Sequence, residues 1–321
     1  MKIMRQMIKK SKYRINFKAE FVLFLAYLSL FAFATILSIR FSPLFNEGVK
    51  SGLKFCFTVI LPSAFPFMIL SDLLLFVLRF ERIASLRALF SKLFKINGYA
   101  ITVFLTGLIS GFPIGAKLAR ELYKSGKISK NECERLIGFS NNASPAFVIS
   151  GIGAGLLGSV KIGVFIYLIS VFSCIATGMI FAGFTASKKE TEYEQIHSFS
   201  FVNSIKEATK ASINICGFIA FFSVVITLLR QFIKNELTLA LISSFLEVGN
   251  ASRLITSLKL DYTLLFPLLS FAVSFSGLSV HLQSKSLFYD TDISFKRYYL
   301  MKLVSGIISS LASFLTLPLV I

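Results

Sequence analysis

Ser110-Gly111-Phe112-Pro113-Ile114-Gly115-Ala116-Lys117, followed shortly by Asn141-Asn142-Ala143-Ser144-Pro145, is the stretch on which the fold turns. Both motifs join helix breakers to polar side chains inside a chain otherwise built of long apolar runs. Irregular backbone at membrane depth persists only where it is buried in protein or lines a watery cavity, because lipid offers nothing to the freed N–H and C=O groups. Such segments are candidates for binding.

Outward from these motifs the composition is that of an all-α polytopic membrane protein. Hydrophobic residues make up 55% of the 321, Phe is abundant at 36, Trp is absent, and mean hydropathy is +0.75. A soluble fold would have to bury runs such as 21–39 and 162–184 on every side, which a chain of this length cannot do. The net charge of +18 does not call for nucleic acid, because the basic residues sit between the apolar runs. Lys2, Arg5, Lys9, Lys10, Lys12, Arg14 and Lys18 precede the first span, and Arg79, Arg82, Arg87, Lys92 and Lys95 follow the second. This is the positive-inside pattern facing anionic membrane lipid, and the same field draws an anionic solute towards a pore. The run 21–39 is longer than the apolar part of a signal peptide, and Ile39-Arg40-Phe41 has no small-residue cleavage site, so an uncleaved first span with a cytoplasmic N-terminus is expected. Cys56, Cys133, Cys174 and Cys216 are far apart and form no C-x-x-C pair; they read as small buried hydrophobes, with no metal site or cofactor implied.

Four regions follow: 1–52, the basic N-terminus and first transmembrane helix; 53–186, a first half; 187–210, a polar linker containing His197; and 211–321, a second half. In the first half, 53–78 is apolar, interrupted by Pro62 and Pro66, and carries Asp72, which reads as paired with the basic stretch beyond it. Residues 79–95 read as an amphipathic cytoplasmic stretch. If 98–117 crossed the membrane, Arg120, Lys124, Lys127, Lys130 and Arg135 would lie outside, against the positive-inside rule. A re-entrant hairpin with its tip at 111–113 removes the conflict, since a leg over 98–110 is about 20 Å long at 1.5 Å per residue, too short for a hydrocarbon core of about 30 Å. Ser129-Lys130-Asn131-Glu132 fits a capping box, predicting a helix over 130–139. That helix ends at Asn141-Asn142, and Pro145 restarts the chain in a first turn, where its missing N–H costs nothing. The result is a discontinuous helix, followed by a return span over 162–184.

The second half reuses this vocabulary. Residues 213–229 read as a span. Residues 237–258 are broken at Glu247-Val248-Gly249-Asn250-Ala251-Ser252, which repeats the tripeptide Asn142-Ala143-Ser144. Residues 262–288 contain Ser274-Phe275-Ser276-Gly277-Leu278-Ser279-Val280-His281-Leu282-Gln283, which resembles the first hairpin, and 302–321 reads as the last span. On this alignment the order of the two motifs is reversed between the halves. Interrupted segments paired across two halves point to a transporter site near the midplane.

Gly111 to Lys117, Gly126-Lys127-Ile128-Ser129 through Glu134-Arg135-Leu136, Asn141 to Phe147 and Gly277 to Gln283, in that order, resemble the YlbJ family. These are sporulation integral membrane proteins with nucleoside-recognition (Gate) domains, similar in pattern to concentrative nucleoside transporters. The likeness covers nearly all of the chain after Leu53. The family commonly has Asn-Asn-Ser-Gly-Pro where this chain has Asn141-Asn142-Ala143-Ser144-Pro145, and Gly-Gly-Leu-Ser where it has Ser276-Gly277-Leu278-Ser279. The resemblance implies movement of dipicolinate from the mother cell across the outer forespore membrane during spore formation.

The residues themselves fit a small anionic solute. Half-helix N-termini present free N–H groups and a positive dipole end. Gly111, Pro113, Gly115, Asn141, Asn142, Ser144, Asn250, Ser252, Ser276, Gly277, Ser279 and Gln283 are the expected lining, with Lys117 and His281 supplying charge. Lys117 equally fits a snorkelling lysine, the asparagines fit helix caps, and His281 fits a satisfied interior histidine. Glu247 is the candidate holder of a coupling cation or proton, or else pairs with a nearby base. A membrane enzyme is disfavoured, since no catalytic dyad, metal site or nucleophile elbow is present. A scaffold for spore envelope assembly and a nucleoside transporter are the alternatives, and a homo-oligomer is compatible with either.

Overall fold

In the computed structural model, residues 21–33, 35, 36, 38–78, 83–183 and 200–319 are described, and they form helices and short connections with no strand among them. The basic cluster from Lys2 to Lys18, Arg79, Arg82, and the linker residues 187–199 with His197 lie outside the described residues. The chain divides into two compact units, 1–47 and 48–321. In the first, α1 (Phe21–Arg40) is apolar all round with its large side chains exposed, the character of a lipid-facing span. Among the described residues, five helices are long and apolar enough to cross a membrane, or seven if each of two bent pairs counts as one span.

One bent pair is α2 (Ser42–Phe55), continued through a π turn at Cys56–Ile60, with α3 (Leu61–Leu78), bent by 47°. The other brings amphipathic α4 (Ala84–Phe94) at 97° to the segment Gly98–Ser110, whose main part is α5 (Ile101–Ser110). After the turn, α6 (Ile114–Lys124) runs back along α5. This is the expected re-entrant hairpin, and Gly111 makes its turn at φ +79°, a conformation open to glycine at little cost. Its first leg rests on a cluster of the rings of Phe90, Phe94, Phe104 and Phe139, of which Phe94 and Phe139 are stacked.

Helix α7 (Lys130–Ser140) begins at Ser129 with both halves of the capping box formed. It stops at Asn141, and the chain restarts after Pro145 as a π-helical segment, Ala146–Leu156. Helix α8 (Val160–Ile180) then returns. Helix α9 (Phe201–Phe232) is 32 residues long, so the linker expected over 187–210 is helical from Phe201 on. At 1.5 Å per residue such a helix spans about 48 Å and carries its polar start beyond the bilayer.

The second half is α10 (Glu236–Leu246), α11 (Val248–Ser257), α12 (Tyr262–Phe275), α13 (Gly277–Ser286) and α14 (Lys296–Leu315). Helices α10 and α11 pack along each other, as α5 and α6 do, whereas α12 and α13 continue as one candidate span, Tyr262–Ser286, with a break at Ser276. Both halves therefore run hairpin, broken helix, full span. The reversed order expected from the Asn-Ala-Ser tripeptide is corrected: Asn250-Ala251-Ser252 lies in the first turns of a hairpin leg, and the counterpart of the break at Asn141–Pro145 is Ser274–Ser279. The last span begins at Lys296 rather than Lys302.

From the base of the first hairpin, α7 with its π continuation runs antiparallel along α8, with Gly153 against Gly163 and Phe139 against Gly178, so that together with α8 and α9 three crossings lead to the base of the second. An odd number puts the two bases on opposite sides, so the halves are inverted. An independent contact agrees: the α13–α14 loop, on the first hairpin's side by this count, places Asp290 against Arg120 and Lys124, and Asp292 against Tyr123 and Lys130. The basic residues gathered there mark that side as cytoplasmic.

Candidate functional site

Each hairpin tip packs on the helix break of its own half. A Cβ added to Gly111 would lie 2.8 Å from Ser144 Cβ, and one on Gly277 would lie 3.0 Å from the Glu247 backbone nitrogen. The two tip-and-break pairs meet around one cavity of about 30 Å³, room for two or three waters at roughly 10–15 Å³ each. Its polar lining is Ser110, Gly111, Ser144, Glu247, Ser279 and Gln283, and Ile60, Ala64, Met68, Phe147 and Ile219 form apolar walls.

Four half-helices start at this cavity: α6 after Phe112, the π segment after Ser144, α11 after Glu247 and α13 just before Ser279. Backbone N–H groups at such starts have no intrahelical partner. Three are met by side chains of the preceding break, since Ser144 Oγ accepts from Phe147 N (3.3 Å), and the Glu247 carboxylate accepts from Gly249 N (2.8 Å) and Asn250 N (2.6 Å). Glu247, expected to hold a coupling ion or pair with a base, caps α11.

Of the expected lining, Gly111, Ser144, Ser279, Gln283 and Glu247 face the cavity. Pro113 precedes α6, and Gly115 and Gly107 pinch the Ser140 carbonyl between the hairpin's legs; an added Cβ would stand 2.2 Å and 1.8 Å from that oxygen. The asparagines build the break. Asn141 Nδ2 donates to Ser284 Oγ (2.7 Å) and Tyr298 Oη (3.2 Å), and Asn142 Nδ2 donates to Phe139 O (2.6 Å). Asn250 joins its hairpin to α9, accepting from Ser223 Oγ and donating to Ile219 O, and Ser252 bonds back to Val248 O. Ser276 adopts φ +73°, a conformation that glycine reaches at less cost, and Gly277 follows at φ +77°.

Two expectations are corrected. Lys117 leaves the hairpin on its outer face, where its ammonium, 47% exposed, pairs with Glu207 of α9 at 3.7 Å; on a helix, a residue two places after Gly115 points away from what Gly115 touches. His281 is buried among Phe275, Tyr298 and Tyr299 and donates Nε2–H to Phe275 O at 2.8 Å, closing the end of α12.

The sequence reading missed Lys302. It lies in the middle of α14, fully buried, and donates to Asn142 Oδ1 (3.3 Å) and Ser274 O (3.4 Å), one acceptor from each break. A lone lysine within an apolar run was the available signal, hidden when the span was begun at that residue. Among the described residues, no group of three His, Cys, Asp or Glu side chains is placed to hold a metal.

On the cytoplasmic face, Asp290 and Asp292 tie the second half to the first hairpin. Hydrogen bonds and charge from Arg120 and Lys124 pull the Asp290 carboxyl down to about 2, and the Asp292 carboxylate pushes the Tyr123 phenol up. Ser294 N donates to Glu134 and Arg297 to Asn131, extending the same seam.

Among known proteins, the chain is similar to the sporulation integral membrane protein YlbJ of Bacillus subtilis (strain 168), with 26% identity over 325 aligned positions that cover 87% of this chain and 79% of that protein. The YlbJ likeness read from the motifs is thereby borne out. No protein-family model matches the chain, and no solved structure matches it.

Proposed function

We propose that this protein is a transporter that exposes its midplane cavity alternately to the two sides of the membrane, and that its cargo is a small anionic solute. The observation that carries the proposal is the meeting of two hairpin tips and two helix breaks, from halves of opposite orientation, around one cavity whose mainly apolar wall carries Ser110, Ser144, Glu247, Ser279 and Gln283. Unsatisfiable backbone at this depth is retained where something passes or binds. In the present state the cavity has room for water alone, so a larger solute enters when a hairpin tip draws away from its break.

Charge selects the class of cargo. Each half-helix start carries about half a positive unit, and the ends of α5 and α10 at the same two tips carry about half a negative unit each. About one positive unit therefore remains when Glu247 is neutral, and that state favours an anion over a neutral nucleoside. The cargo we propose is dipicolinate, moved into the developing forespore across its outer membrane; likeness to a sporulation integral membrane protein supports the sporulation setting, and no covalent chemistry is involved.

The test is uptake of labelled dipicolinate, benzoate and uridine by liposomes containing only this protein. Dipicolinate flux above that of protein-free liposomes is expected, reduced at least tenfold by Gln283→Leu combined with Ser279→Val. Absence of any flux from correctly inserted protein removes the transport reading in favour of a scaffold, and preferential uridine flux removes the anionic cargo.

A further inference from the structure

The buried face of α14 is polar along its length: Tyr298, Lys302, Ser305, Ser309 and Ser313 recur every three or four residues, all within 2% of full burial. Lys302 is the one cation of that stripe. Among the described residues, its ammonium has no carboxylate within 4.0 Å, the reach of every ion pair found in the molecule. An unpaired ammonium at this depth is costly unless something else supplies negative potential.

The ends of two half-helices supply it. Helix α12 stops at Phe275, and each of its last four carbonyls has a partner: Ala272 O accepts from Ser276 N, Val273 O from Ser276 Oγ, Ser274 O from Lys302 Nζ, and Phe275 O from His281 Nε2. Helix α7 stops at Ser140, where Asn142 takes the Phe139 carbonyl with its amide nitrogen and offers its amide oxygen to Lys302. The ammonium thus stands between the C-terminal ends of two half-helices from opposite repeats. Each end carries about half a negative unit, and two together match one ammonium.

We infer that Lys302 is the built-in counter-cation of this crossing, standing where a bound inorganic cation would otherwise be needed, and that taking the ammonium away turns the crossing into a binding site for a small free cation. The other titratable groups near it are Cys174 of α8 and His281 of α13, and neither is an anion by its hydrogen bonds: the thiol donates to Val171 O, and the imidazole donates to Phe275 O. Charge balance at the crossing therefore rests on Lys302. The inference is independent of the transport reading, since it concerns what holds the two breaks together.

Thermal unfolding of the full-length protein in detergent tests it, in choline, sodium and methylammonium chlorides at equal ionic strength. The parent should unfold at one temperature in all three. Lys302→Ala should unfold several degrees lower in choline chloride and recover, saturably, with methylammonium or sodium, which fit the space the side chain leaves. Lys302→Met fills that space without charge and should stay low in every salt, while Lys302→Arg should lie nearer the parent. Recovery of folded Lys302→Arg from membranes, with both neutral variants lost, also supports the inference. Lys302→Met as stable as the parent, a Lys302→Ala deficit that no cation repairs, or a sodium-specific gain in the parent would each overturn it.

Discussion

Gly107→Ala is the sharpest probe of how the first hairpin is seated. The new Cβ would lie 1.8 Å from the Ser140 carbonyl oxygen and 3.3 Å from Gly115 Cα. Since a carbon and an oxygen in contact sit about 3.2 Å or more apart, the oxygen or the helix must retreat by well over 1 Å. The oxygen cannot simply shift, because Gly115 on the other leg confines it, an added Cβ there standing 2.2 Å away. The hairpin as a whole must tilt off α7, which carries its tip away from Ser144. Overpacking of this kind costs about 1–3 kcal/mol, against a gain of about 0.5–1 kcal/mol for alanine over glycine inside a helix. Destabilisation wins, and at roughly 2–4 °C per kcal/mol the unfolding temperature should fall by several degrees. Gly217→Ala in α9 is the matched control, since nothing lies within 4 Å of its added Cβ and only the helical gain remains. Gly107→Ala together with Gly115→Ala should cost less than the two singly, because one tilt relieves both. Differential scanning fluorimetry of the parent and four variants reads all of this, and Gly107→Ala unfolding at or above the parent's temperature would refute the packing argument.

Other consequences are less elaborate. Because the folded Asp290 carboxyl lies at about 2 against an ordinary 3.8, its contribution to the cytoplasmic seam is complete above about pH 4 and is lost as pH falls towards 2. Asp290→Asn should reproduce that loosening at neutral pH, seen as faster amide exchange at the end of α6, and unchanged exchange would show that the seam does not depend on this carboxylate. Asn141→Leu removes the donor shared by Ser284 and Tyr298 and should cost about 1–3 kcal/mol of stability; a parental unfolding temperature would mean the break is held elsewhere. Lys117→Gln breaks an exposed ion pair worth about 0–1 kcal/mol, so stability and solute flux should both stay parental, and a large loss of flux would return Lys117 to the site.

The first half was legible because its breakers are strong and local. Gly111 with Pro113, and Asn141-Asn142 with Pro145, each combine a helix breaker with a second poor helix former, and the capping box at Ser129 states where α7 begins. Charge on the flanks then decided between a span and a hairpin without any tertiary information. The second half offers weaker punctuation. Its hairpin turns on Glu247, a single extended residue at φ −156°, and its broken helix turns on Ser276 in a left-handed conformation; neither residue type announces such a backbone. Asn-Ala-Ser therefore drew the eye as a repeated break, though at 250–252 its side chains bond α9 and the helix's own turn. The packing of α10 on α11 and the continuation of α12 into α13, both non-local to that tripeptide, restore the order.

The site was legible as a set of polar residues but not as a geometry, and the reason lies in helix direction. Glu247 and Lys302 are both ionisable groups in apolar surroundings, and sequence alone gives each an open choice of partner. In the fold Glu247 sits at the start of a half-helix, where an anion satisfies N–H groups, and Lys302 sits beside the ends of two, where a cation satisfies the Ser274 carbonyl of one and the Asn142 amide oxygen just beyond the other. Exchanging the two would leave composition, hydropathy and net charge untouched, yet put like charge against like potential at both places. That swap, Glu247→Lys with Lys302→Glu, should yield no folded protein in the membrane, whereas Lys302→Arg should. Equal recovery of the two by size-exclusion chromatography in detergent would mean that the half-helix ends do not set the charges they face. The assignment therefore follows from which ends meet, and only the inverted packing of the two halves brings four starts to the cavity while it brings two ends to α14.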